Sequence, residues 1–403
     1  MRHEDQLPDA NLPRFTGGGT LLRGGAIAGG AGLLLTLLGG LFSPQKALLS
    51  YLIAVLYWLG LSLGALALVM ANHAAGARWN VVIRRLNETI AAAAPLFIVL
   101  FIPLLLGAKQ IWTWVEPPPG LPKETVELLA HKRPYLNFGA FVARAALYFL
   151  VWGALSWLLR AWSLQQDESG AAALTRKQRR LSAPGMVALM LTVTFASFDW
   201  LMSLQPNWYS TIFGLYVFAG AFLASLSLLA LVVTGLRSAG TPLGRIISAE
   251  HQHNVGKLML AFTAFWAYMA FSQYMLIWAG NLPAEVTWIV ARSRGVWRPV
   301  GVLILIGHFV VPFFLLLSRD LKRSPPALAA VAAWILVIHY VDLYWVVMPA
   351  LSLETLGAHW THFTAFVGVG GVSVAAAVLL LRGGRPVPVR DPYLEDSLRY
   401  VQP

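Results

Sequence analysis

The chain has 403 residues, of which 58% are hydrophobic and 12% charged, with a formal net charge of +12 and no cysteine. A soluble domain carries about 25% charged residues, so a soluble protein is excluded and an integral membrane protein is expected. Lys and Arg cluster between apolar runs, a pattern that orients a protein in a membrane, so nucleic acid is not an expected partner. The lack of cysteine excludes disulfides, thiolate-held iron–sulfur clusters, CxxCH haem attachment and a cysteine nucleophile from this sequence.

In chain order, residues 1–23 read as a polar tail without the features of a cleavable signal peptide. A membrane-crossing helix needs about 20 mainly apolar residues. Ten segments qualify: Gly24–Phe42, Ala47–Asn72, Thr89–Gly107, Phe138–Trp162, Met186–Leu204, Ser210–Leu236, Val255–Ala279, Pro299–Ser318, Ala327–Met348 and Phe363–Leu381. Residues 388–403 read as a second polar tail. No linker is long or polar enough to split residues 24–387, so one ten-helix membrane domain is expected, with the two tails as docking segments. Lys and Arg fall mostly in the tails and in the loops on their side, including Arg78, Arg84, Arg85 and Arg176–Arg180. The positive-inside rule then puts both termini in the cytoplasm. Helical spans throughout point to the inner membrane of a bacterium.

The most informative stretch is Thr194–Gly214, TFASFDWLMSLQPNWYSTIFG. It sets Asp199 inside a spanning run, where an ionisable group costs about 3 kcal/mol and marks function by default. Thr192, Asp199 and Ser203 share one helix face. Arg144 lies near the outer end of the fourth span, with Tyr148 one turn on. His308 is mid-way along the eighth. His339 and Asp342 are three apart on the ninth and project from one face. Asp199, His339, Asp342, Arg144 and His308 are therefore the candidates for proton transfer or quinone contact, expected together as one polar core of the second membrane half or its interface. On the seventh span His253, Lys257, Tyr268 and Ser272 form a stripe that reads as an inner proton entrance.

Each residue also has a structural reading. Arg144 can form an ion pair with Asp199 or Asp342 that only joins helices. His308 can be a neutral histidine bonded to a neighbour. His253 and Lys257 can lie at headgroup level. Trp112, Trp114, Trp200, Trp208, Trp278, Trp297 and Trp345 read as an interfacial belt. Two chemistries suit the polar set. A quinol sheds protons that a carboxylate or imidazole can take, or a chain of polar groups can conduct protons. A b-type haem on His308 and His339, or a secondary transporter with broken helices, are the other classes. No metal-ligand set is expected.

Three stretches carry a resemblance: Thr194–Gly214, then HQHNVGKLMLAFTAFWAYMAFSQYMLIWAGNLPAE (His251–Glu285), then GHFVVPFFLLLSRDLKR (Gly307–Arg323), with VPVRDPYLEDSL (Val387–Leu398) near the end. Over about Asn87 to Leu398 the chain resembles the F-type membrane subunit, quinone-binding subunit 2, of bacterial alternative complex III. That family belongs with the polysulfide-reductase type of membrane subunit. The resemblance implies an all-α integral membrane fold of ten helices. Helices 2–5 and 6–9 would form two four-helix bundles, with helices 1 and 10 outside. It implies a quinol:cytochrome c (or blue copper protein) oxidoreductase in respiratory or photosynthetic electron transport. Quinone or menaquinone would be the cofactor, with none bound covalently. The implied partners are a sister membrane subunit at the quinol site, an iron–sulfur subunit, multihaem cytochrome c subunits, other small membrane subunits and lipid. The iron–sulfur clusters and c-type haems would all sit on those partners. A sister-type subunit that itself carries the working quinol site is the neighbouring alternative. The chain departs from the family pattern at HQHNVGK, where Asn254 stands in place of an expected Asp. An amide cannot take up and release a proton as a carboxylate does.

Overall fold

In lipid every backbone amide must be satisfied within its own segment, so apolar runs of this length fold as helices. The computed structural model describes residues 12–401, and among them there is no strand. Ten helices are long and apolar enough to cross a membrane: α1 (Gly19–Phe42), α2 (Pro44–Ala75), α3 (Val81–Leu106), α4 (Phe138–Ser169), α5 (Ala172–Leu204), α6 (Phe213–Ser238), α7 (Ala249–Gly280), α8 (Trp297–Leu317), α9 (Pro325–Ala350) and α10 (Thr361–Leu381). The expected ten-helix fold class is met. Of the expected N-terminal tail, residues 1–11 lie outside the described residues, and Gly19–Arg23 belong to α1.

Several helices outrun the apolar segments that announce them. α5 starts fourteen residues before Met186, at Ala172, so Arg176, Lys177, Arg179 and Arg180 ride on helix and not in a loop. α3 starts at Val81 and carries Arg84, Arg85 and Glu88 into the fold, where all three are buried. Hydropathy marks only the lipid-filled length. Ion pairing carries the charged turn of α3 past it, and exposure away from the packed core does so for the cations of α5.

Neighbour relations define the architecture. α2, α3, α4 and α5 close one ring of four, and α6, α7, α8 and α9 close another. The rings meet where α6 packs on α2 and α5, and where α9 touches α2. α2 is accordingly buried over 89% of its most apolar window, as expected of a helix that is apolar all round. α1 and α10 pair with each other and lie against α2. Their contact is made by small residues, which let backbones approach. A Cβ added at Gly32 would stand 2.6 Å from the backbone nitrogen of Gly368, and the hydroxyls of Thr36 and Thr364 meet at 2.9 Å across the seam.

Ten crossings leave both ends of the described chain on one face, called here the terminal face. The amide of Phe15 donates to the Gly384 carbonyl at 2.8 Å, and that of Gly383 to Phe15 at 2.9 Å. The C-terminal segment then runs beneath the first bundle. Arg84 Nη2 donates to Asp391 Oδ2 at 2.7 Å, and Arg84 Nε to Glu88 Oε1 at 3.0 Å. Ser163 Oγ donates to the same Glu88 oxygen at 2.9 Å, and Arg85 Nη2 to Asp167 Oδ2 at 2.6 Å. A few residues on, Ser397 Oγ donates to the Trp79 carbonyl at 2.7 Å and accepts from the Val82 amide at 3.2 Å. It also lies 3.3 Å from His251 Nε2 on α7. The segment read as a docking tail thus docks on its own chain and ties the first bundle to the second.

Candidate functional site

The five polar residues expected as one core form two clusters, one in each bundle. In the first, Asp199 near the end of α5 is fully buried. Arg144 on α4 grips it with two bonds, Nε to Oδ2 and Nη2 to Oδ1, each 2.8 Å. Tyr148, one turn along α4, donates its hydroxyl to Oδ2 at 2.7 Å. The guanidinium is held in turn by the Tyr135 carbonyl at 3.0 Å and lies 3.9 Å from the centre of the Tyr135 ring. Ser203 donates to the Asp199 carbonyl and Trp152 Nε1 to Thr192 Oγ1 at 2.8 Å. Bidentate pairing of this kind is strong and geometrically specific. Both carboxylate oxygens are occupied and the charge is matched.

The second cluster has no such cation. Asp342 on α9 accepts the hydroxyl of Tyr216 from α6. Its other oxygen stands 4.0 Å from His308 Nδ1 on α8, beyond hydrogen-bond distance. His308 is fully buried, its ring 4.1 Å from that of Trp266 on α7 and 5.9 Å from that of His339. His339 packs on Gly220, where a Cβ would come within 3.1 Å of its ring, and lies 5.5 Å from the Tyr57 ring. Both His308 nitrogens and His339 Nδ1 lack a hydrogen-bond partner in the protein. Buried polar atoms are almost always bonded, so such a group calls for an explanation. His308 also sits in a π-helical turn, Leu305–Val310. Pro312 supplies no N–H to the His308 carbonyl, which relaxes the α-helical register there. Turns of this type gather at functional sites.

A cavity of about 940 Å³ opens beside this cluster. Its wall runs from Tyr216 and Trp266 in the interior to Tyr268, Phe271 and Tyr274 on the outward face of α7, and to Val302 and Leu305 on α8. The last five are exposed, so the cavity opens sideways, where lipid would lie. A short helix, Pro283–Arg292, roofs it. Trp288 on that helix stacks on Trp208 at 4.4 Å. Arg292 is 2% exposed. Its Nε donates to the Trp345 carbonyl at 3.2 Å, Nη2 to that of Val346 at 3.0 Å, and Nη1 to Gln205 Oε1 at 3.1 Å and the Trp288 carbonyl at 3.3 Å. Burial pulls its pKa down to about 9, and the group stays a cation at neutral pH. A second void, about 50 Å³, lies between the bundles with Trp152, Trp200 and His339 in its wall.

The residues of the expected inner stripe separate. His253 is buried near the start of α7, its Nδ1 3.9 Å from Glu250 Oε2, and Glu250 Oε1 takes a 2.5 Å bond from Arg323. Lys257 is half-buried near Lys322, whose Nζ donates to the Leu316 carbonyl at 2.5 Å and whose pKa is lowered by burial and by Lys257. Tyr268 is instead 63% exposed at the cavity mouth, and Ser272 is buried one turn further. Four residues at helical spacing proved too coarse a guide to one face of a long helix.

The tryptophan belt is also corrected. Trp112, Trp114, Trp200, Trp208 and Trp297 are buried, and only Trp278 of the seven stands far out, at 70% exposure. They fill the bundle ends away from the terminal face, as in the 4.4 Å contact of Phe101 with Trp200. Tyr216, Trp266 and Arg292 were not foreseen. A hydroxyl at a helix-interior position and one of three Arg residues (Arg292, Arg294 and Arg298) in an apparent loop give no signal until the helices are assembled. Among the described residues no group of three or more His, Asp or Glu is placed to hold a metal ion. In comparison with known proteins, no family model and no curated protein matches the chain.

Proposed function

We propose that this chain is the F-type membrane subunit of an alternative complex III, a quinol:cytochrome c or blue copper protein oxidoreductase of a bacterial inner membrane, with its terminal face in the cytoplasm. One observation carries the reading. A large aromatic cavity, open toward lipid, ends at Tyr216 and Trp266, and directly behind them lie Asp342, a buried carboxylate that no cation neutralises, and His308, whose ring nitrogens no protein group satisfies. An amphiphile with a flat, oxygen-bearing head fits such a wall.

A quinol delivers two electrons and two protons when it becomes a quinone. The electrons leave to the iron–sulfur clusters and c-type haems of partner subunits. This chain handles protons and position. Asp342, reached through the Tyr216 hydroxyl, is the acceptor, and His308 is the next group inward. Trp266 and Trp288 shape the pocket and exclude water. Asp199, saturated by Arg144 and Tyr148, joins α4 to α5 and takes no part in proton exchange.

The test is made in the assembled complex, which is expected to co-purify with iron–sulfur and multihaem cytochrome subunits. Asp342→Asn lowers quinol oxidation about a hundredfold, within the range for loss of one acid–base group. Unchanged turnover with normal assembly would leave Asp342 a structural residue and the reading without its support.

A further inference from the structure

The cavity wall has a charge pattern that the acid–base cluster does not use. It contains Arg292 and Arg298 and no carboxylate. Among the described residues Arg292 pairs with no acid. Its donors meet one side-chain amide and three backbone carbonyls, all neutral, and its guanidinium lies 3.9 Å from the centre of the Trp288 ring. Four of its five N–H groups are engaged, which leaves one on Nη2. A cation held by neutral groups in a low-dielectric wall keeps its attraction for a further acceptor, and that attraction is far stronger than in water. A carboxylate beside it would cancel the field, and none is there.

Access follows from the helices. In the terminal half α8 packs on α7 through Val311–Leu317, while in the other half its first turns, Trp297–Ile304, stand away from α7. The gap is lined by Ala267, Ala270 and Phe271 on one side and Val302 and Leu305 on the other. Small residues on α7 leave the gap wide, and apolar ones on both sides suit a hydrocarbon tail.

We infer that the quinol or quinone enters sideways from the membrane, between α7 and α8 in the half remote from the termini, and that Arg292 holds an oxygen of its head. Arg292 is thus a positioning and specificity residue. It selects an amphiphile whose head is rich in acceptor oxygens, and it aims that head at Tyr216. This rests on the quinol reading above and goes further by naming the path and the anchor. The competing role for Arg292 is structural, since it also satisfies the last carbonyls of α9, where a cation is favoured.

The experiment uses the full-length chain in phosphatidylcholine nanodiscs, titrated with a naphthoquinone bearing one prenyl unit and followed by calorimetry. Arg292→Gln is expected to weaken binding tenfold or more. Arg292→Lys, which keeps the charge but loses the planar fork, should fall between. Ala270→Trp, which fills the gap without touching the head site, is expected to weaken binding as much as Arg292→Gln. Thermal midpoints identify any variant that has merely unfolded, and Ala270→Trp tests the path independently of Arg292. Binding by the unaltered chain that neither Arg292→Gln nor Ala270→Trp changes would overturn the inference and leave the quinol reading to another site. Binding abolished when phosphatidylglycerol is added would overturn it too, making the cavity a seat for acidic phospholipid. No saturable binding by the unaltered chain would bring down the quinol reading and this inference together.

Discussion

Asp199 and Asp342 hold matching places in the two bundles. Each lies on the fourth helix of its ring, each precedes a proline by seven residues (Pro206 and Pro349), and each accepts a tyrosine hydroxyl. They differ in what else they meet. Asp199 is locked by Arg144 at 2.8 Å, whereas Asp342 has only a histidine at 4.0 Å and an open cavity nearby. One arrangement, used twice, is locked by an arginine in the first bundle and lacks one in the second, where a cavity lies beyond Tyr216.

The locked member should behave as a structural ion pair. Arg144→Leu strands a buried carboxylate and should cost about 3–5 kcal/mol, as removal of one partner of a buried pair does. The double variant Arg144→Leu with Asp199→Leu should recover most of that loss. Thermal or denaturant unfolding in detergent measures both. A double variant as unstable as the single would show that the pair is not what Asp199 is for.

His308 separates stability from activity. An unsatisfied buried polar group costs about 1–3 kcal/mol, and His308 has two unpartnered nitrogens. His308→Phe should therefore leave the thermal midpoint unchanged or raise it, while quinol oxidation by the complex falls. A variant that is less stable and fully active would assign His308 to packing.

The segment beneath the first bundle makes a separate prediction. Asp391→Asn removes the buried partner of Arg84, whose side chain is 4% exposed, and should cost about 3–5 kcal/mol. Arg78→Gln breaks a pair exposed by 60% and 47% and should cost under about 1 kcal/mol. Unfolding of the two variants side by side gives the contrast. Equal losses would mean that the segment is only loosely seated.

Backbone contact between α1 and α10 is the last target. Gly32→Ala places a methyl group against the Gly368 backbone, which cannot give way as a side chain can, and overpacking of this kind costs about 1–3 kcal/mol. Gly30→Ala, with nothing within 4 Å of the added Cβ, serves as the control. Limited proteolysis should release α1 from the first variant and not from the second.

How far the sequence speaks can be judged from particular residues. The spans were legible because length and hydropathy follow from bilayer thickness alone. Asp199, Asp342, His308 and His339 were legible because a polar group in an apolar run stands out. Their division between two bundles was not, since it depends on which helices are neighbours. Arg84 and Arg85 look like ordinary loop cations, and only Glu88, four residues after Arg84, hints at pairing. Nothing near Asp391 in the sequence points to Arg84, 307 positions earlier. Arg292 is likewise silent, because its acceptors are three backbone carbonyls and the side-chain amide of the distant Gln205.

The route of the C-terminal segment bears on how the protein is made. Synthesis runs from the N-terminus, so Asp391 and Ser397 emerge after all ten spans are in the bilayer. Until then Arg84 has Glu88 but not Asp391 to balance it, and no hydroxyl links Trp79 and Val82 to His251. The two halves of the molecule are fastened on that face as the closing act of translation. A chain cut short after the tenth helix would leave Arg84 without Asp391 and Arg78 without Asp396, and would present that open face to the cell's quality-control proteases.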